Sequence, residues 1–91
     1  MSELEKYFEE ESWNQFSSLF KNNNEAIVKM LAVNLDNNII LAIVIFGIFE
    51  KDSLKWITQK IPALNYLSPK ECMAESKLKN RLKVCLMRMP Q

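Results

Sequence analysis

Residues 68–89 read Ser68-Pro69-Lys70-Glu71-Cys72-Met73-Ala74-Glu75-Ser76-Lys77-Leu78-Lys79-Asn80-Arg81-Leu82-Lys83-Val84-Cys85-Leu86-Met87-Arg88-Met89. Serine at a cap, proline at the first helical position and glutamate at the third satisfy three separate helix-start rules. They predict a short helix from Ser68 that ends near Ala74. Ser76 then opens the last helix, in which Leu78, Leu82, Cys85, Leu86 and Met89 recur at i, i+4, i+7, i+8 and i+11, one face of a 3.6-residue period. Lys77, Lys79, Arg81, Lys83 and Arg88 fall mostly on the other side. From Lys70 onward there are six basic and two acidic residues. Cations near a helix C-terminus are stabilising in themselves, so this local excess needs no ligand.

Upstream, Ile61-Pro62 must stop the helix that carries Leu54, Trp56 and Ile57, because proline disfavours helical geometry in the residue before it. Asp52 or Ser53 can cap that helix. The apolar run Ile39–Phe49, IILAIVIFGIF, predicts a helix buried in a core or an oligomer interface. Its eleven residues fall short of the roughly twenty that span a bilayer. Gly47 is placed to end it in a left-handed turn. Polar breaks at residues 34–38 and at Asn22-Asn23-Asn24 bracket a short apolar helix over 26–33, with Asn24 as its cap. Ser2 and Glu5 form a capping-box signature for the first helix. Leu4, Tyr7, Phe8, Trp13, Phe16, Leu19 and Phe20 nearly make one stripe. Slippage at Glu11-Ser12 permits either one helix or two, since Ser12 and Gln15 can form a second box. Glu3, Glu5, Glu9, Glu10 and Glu11 read as a solvated acidic face. The chain is therefore expected to be all-α, a small single-domain helical bundle of about five or six short helices. An acidic, aromatic-rich helical segment covers 1–38, and a helical domain, the one that carries a family resemblance, covers 39–91.

Composition narrows the function classes. Ninety-one residues, 48% hydrophobic and 25% charged, are enough for one core and too apolar for disorder. A net charge of +1 supplies no whole-chain field toward nucleic acid or membrane. The absence of histidine removes the commonest general base and metal ligand, and a single glycine cannot build a phosphate loop. Cys72 and Cys85, thirteen apart, read as reduced small apolar side chains of a cytoplasmic protein. The acidic N-terminus lacks the basic lead and apolar core of a signal peptide. No nucleophile and base can be assembled, so a binding module is expected, with no enzyme activity, cofactor or metal.

From Phe46 to Met89 the chain also resembles a known family. Phe46-Gly47 is followed by Trp56-Ile57, the turn Ile61-Pro62-Ala63-Leu64, Ser68-Pro69, Glu71-Cys72-Met73, and a last helix with Leu82, Leu86 and Arg88-Met89. This ordered set is similar to the toxin-binding domain at the C-terminus of Xre/MbcA/ParS-type antitoxins, and between Trp56 and Met89 the spacing fits without a gap. Asn65-Tyr66 stands where such domains carry a small glycine pair, Leu78 where they carry a glycine. Met89-Pro90-Gln91 replaces an ending with histidine and glycine.

The resemblance implies a protein partner, a RES-domain toxin that consumes NAD, neutralised by occlusion of its active site. Arg88, Met89, Pro90 and Gln91 would then be the contact residues, while Phe46, Gly47, Trp56, Pro62, Leu64, Ser68, Pro69, Leu82 and Leu86 would hold core and turns. Residues 1–38 are too short and too acidic for the helix-turn-helix that usually precedes this domain, so DNA binding is not expected. The large apolar surface for so short a chain favours a homodimer. A homo-oligomeric helical adaptor without a toxin is the alternative.

Overall fold

Among the described residues five α-helices follow one another: α1 (Glu10–Ser17), α2 (Ala26–Asn34), α3 (Ile39–Phe49), the single turn α4 (Ser53–Trp56) and α5 (Ser76–Met87). Short 3-10 turns lie at Leu4–Tyr7, Glu50–Asp52, Pro62–Leu64 and Glu71–Ala74. The computed structural model describes residues 4–21 and 26–89. Among these there is no sheet; an isolated bridge joins Ile61 and Leu67. The all-α expectation holds.

α3 is the centre. Leu41, Ala42, Ile43, Val44 and Ile45 are all buried, and five consecutive positions exceed one helical turn, so protein surrounds this stretch on every side. No helix among the described residues is long and apolar enough to cross a membrane. Around α3 a single hydrophobic cluster draws on both ends of the chain, from Leu4 and Trp13 through Leu31, Leu35 and Leu64 to Leu82 and Leu86. The corner between α2 and α3 is made without glycine. Asp36 and Asn37 take φ of 55° and 61°, a region that short polar side chains tolerate. The Asn38 side chain then accepts from the Leu41 N–H at 3.1 Å and caps α3.

Several sequence expectations are corrected at the termini of helices. α3 does not end at Gly47: it runs on to Phe49, and Glu50 takes the positive φ of 50°. Gly47 instead permits a close approach, since the Phe20 ring occupies the space that a Cβ there would need. Neither Asp52 nor Ser53 caps α4 through its side chain. The Ser53 hydroxyl turns back and donates to the Glu50 carbonyl at 2.5 Å and the Ile45 carbonyl at 3.4 Å, tying α4 to the end of α3. The slippage at Glu11-Ser12 resolves into two elements, a 3-10 turn and α1. Glu9 is the extended residue before α1, which puts Ser12 inside the first turn, where its hydroxyl donates to Glu9 Oε1. The Ser12–Gln15 box is therefore not used. Ser2 and Asn24, the other proposed caps, lie outside the described residues.

The Ser68–Glu71 box forms as read, but the helix starts only at Glu71, with Lys70 and not Ser68 at its cap position. Ser68 Oγ accepts from the Glu71 N–H at 3.1 Å, and Glu71 Oε1 accepts from the Ser68 N–H at 2.8 Å. Pro69 is fully buried between them. The box opens a 3-10 helix, not an α-helix, and the Lys70 N–H reaches the Ile57 carbonyl at 3.0 Å to fasten it to the end of α4.

Candidate partner-binding site

α5 carries its apolar stripe as the sequence spacing requires: Leu82, Cys85 and Leu86 are buried, and Leu78 and Met89 are partly covered. The stripe is not the whole of its buried surface. Val84 and Arg81 are buried too, because the N-terminal segment lies over the side expected to face solvent.

Beside the apolar packing of Leu4, the charged side chains of that seam each meet unlike chemistry. Glu5 meets Arg81 through two oxygens, Oε1 to Nε at 2.7 Å and Oε2 to Nη2 at 3.2 Å, with side chains only 7% and 8% exposed. Lys77 Nζ stands 3.7 Å from Glu5 Oε2. The Arg81 hydrogen bonds outweigh burial and hold the Glu5 carboxyl at about 2, well below its ordinary 4.5. Lys83 Nζ sits over the rings of Phe8 and Trp13 at 5.3 and 5.5 Å, and the Arg88 guanidinium lies 4.8 Å from the centroid of the Tyr7 ring. Glu5 is thus not part of a solvated acidic face, and Arg81 is not on a solvated basic one.

Beside this seam, at the end of α5, is a groove of about 500 Å³. Leu4 lines it from the N-terminal turn, Ile61, Pro62 and Ala63 from turn 61–67, and Cys85, Arg88 and Met89 from the end of α5. Among the described residues Arg88 is the one charged lining residue, and it is exposed. Its backbone N–H closes α5 on the Val84 and Cys85 carbonyls, so the backbone that bears its side chain is fixed by the helix. Turn 61–67 is braced by the Ile61 N–H donating to the Leu67 carbonyl at 3.1 Å and the Tyr66 N–H donating to the Ile61 carbonyl at 3.0 Å. Asn65 and Tyr66 both have positive φ, 57° and 64°. A second cavity of similar size, lined by Asn34, Asp36, Lys70, Glu71, Met73 and Ala74, holds none of the residues that the resemblance assigns to a partner.

Of the four contact residues named from the sequence, Arg88 and Met89 fall together on this groove, and Pro90 and Gln91 lie outside the described residues. Among the core and turn positions, Trp56, Leu64, Ser68, Pro69, Leu82 and Leu86 are buried, and Trp56 stacks on Phe49 at 4.2 Å. Phe46 packs half-buried against the cluster, whereas Pro62 is exposed and opens onto the groove. Leu4, Glu5, Tyr7, Ala63 and Arg81 were missed as parts of this region. Arg81 had a legible signal, since it stands three after Leu78 and four before Cys85, at the edge of the apolar stripe. Both cysteines are free and buried, and loss of solvent pushes the Cys72 thiol up to about 11 and raises that of Cys85. Among the described residues no group of three or more His, Cys, Asp or Glu side chains is arranged to hold a metal ion. No protein-family model matches the chain, and no curated protein or solved structure matches it.

Proposed function

We propose that the chain is a cytoplasmic protein-binding module of antitoxin type, without enzymatic activity, whose contact surface is the end of α5 and the groove beside it. The supporting observation is the convergence of Arg88 and Met89 on an apolar groove, at the positions where the Xre/MbcA/ParS resemblance expects contact with a toxin. The left-handed pair Asn65 and Tyr66 adds to it, because those positions carry glycines in the family it resembles, and left-handed backbone is what glycine supplies without cost. On this reading the helical body grips a RES-domain toxin and the residues after Met87 cover its NAD pocket. Co-expression with a RES-type toxin from a neighbouring gene tests it: rescue of growth and co-purification are expected. Toxicity unrelieved, with no complex recovered, would reject the reading.

A second reading, a homo-oligomeric helical adaptor, is favoured by Met30 and Val33 on α2 and Ile39 and Ile40 on α3, apolar side chains left exposed. It shares with the first the expectation of a homodimer. Sedimentation at micromolar concentration should give a dimer that Val33→Asp dissociates; a monomer in the unaltered chain would dismiss self-association.

A further inference from the structure

An apolar groove with one cation among its described lining residues selects for a particular kind of occupant. Ile61, Pro62, Ala63, Cys85 and Met89 offer contacts to hydrocarbon, and Arg88 offers a planar fork of donors to an anion. The guanidinium carbon lies 4.8 Å from the Tyr7 ring centroid, a cation–π contact that consumes none of the guanidinium's hydrogen-bond donors on a carboxylate. No carboxylate pairs with Arg88 among the described residues: the nearby Glu5 is taken by Arg81 and Lys77. A volume of about 500 Å³ lies inside the range of roughly 300–1,000 Å³ common to ligand pockets.

We infer that this groove binds the C-terminal end of a partner polypeptide, taking an apolar terminal residue into the groove and its carboxylate onto Arg88. The charge must sit next to the hydrocarbon. In an extended peptide successive side chains point to opposite faces, so an Asp or Glu beside an apolar residue turns away from the surface that the apolar residue enters. A terminal carboxylate is attached to the same Cα as the apolar side chain and meets both requirements at once. The inference rests on the proposed protein-binding role and names the chemistry of the partner segment.

The test is an NMR titration of the full ¹⁵N-labelled chain with acetyl-Ala-Leu-Leu bearing a free C-terminus and with the same peptide as its amide. Shifts are expected at Ile61, Ala63, Cys85 and Arg88, with the acid binding roughly tenfold more tightly than the amide, the effect of one charge-assisted contact. Arg88→Gln should bring the two peptides to equal affinity without disturbing the fold, and Ala63→Trp should obstruct both. Equal binding of acid and amide by the unaltered chain, shifts confined to another surface, or no shift at millimolar peptide would each overturn the inference. Tighter binding of octanoate than of the peptide would also overturn it, assigning the groove to a lipid acid. These readouts are independent of toxin rescue, so a chain that binds the acid peptide yet fails to neutralise a toxin loses the antitoxin reading and keeps this one.

Discussion

At Glu5 two carboxylate oxygens meet two guanidinium nitrogens of Arg81 where water scarcely reaches. Removing one member takes from the other, still buried, its closest opposite charge, so Glu5→Gln or Arg81→Met should cost about 3 kcal/mol by urea unfolding. The double variant Glu5→Leu/Arg81→Met should recover most of that loss, because the desolvation of both charges disappears together. A double variant as unstable as the worse single would show that the pair is not the source of the effect. Tyr66 carries strain of a different kind. It is bulky, 68% exposed, and held at φ 64°, so its ring gains little from packing while its backbone is disfavoured. Tyr66→Gly should therefore stabilise the fold by about 0.5–1 kcal/mol in the same assay, the relief of left-handed strain exceeding the added freedom of the unfolded chain.

Between elements, the fold depends on a few fitted joints. Gly47 in α3 accepts the Phe20 ring that follows α1. Alanine is the better helix former by about 1 kcal/mol, but here its methyl must displace an aromatic ring, and overpacking costs about 1–3 kcal/mol. Gly47→Ala should thus destabilise the natural chain and become neutral or stabilising in a Phe20→Ala background; a stabilising effect in both would deny the contact. The Ser68–Glu71 box fixes the start of the 3-10 turn and, through Lys70, its docking on α4. Ser68→Ala should cost about 1 kcal/mol, measured by thermal or urea unfolding.

For the molecule as a whole, charge is arranged along the chain so that its two ends attract. Residues 1–38 hold seven acidic and three basic side chains, and from Lys70 onward the balance is two to six. The first turn and α5 are where those ends meet. The acid limb of stability follows. Glu5 is held at about 2 by Arg81, and Glu71 at about 2 by the Lys60 ammonium first and the Ser68 N–H second. Folded values below the ordinary 4.5 mean that both carboxylates stabilise the fold fully above pH 4.5, and this contribution drains away as pH falls from 4.5 toward 2. Circular dichroism should show unfolding midpoints dropping across that window, and Glu5→Gln should flatten the drop. An unchanged slope in the variant would separate Glu5 from acid unfolding.

Helical class, the presence of a buried helix in the Ile39–Phe49 run, the Ser68–Glu71 box and the core face of α5 were all legible, because each follows from local rules: period, cap chemistry, proline geometry. The end of α5 was named as a contact surface through family resemblance and not through spacing, and its role is a proposal. The groove was not legible, since Leu4, Ala63 and Cys85 meet only when the two ends of the chain meet. Nor was the burial of Glu5 and Arg81, which stand 76 residues apart. Local sequence sets which faces are apolar and where helices begin; which charged face ends up covered depends on a second segment packing over it, and that is decided by the tertiary structure alone.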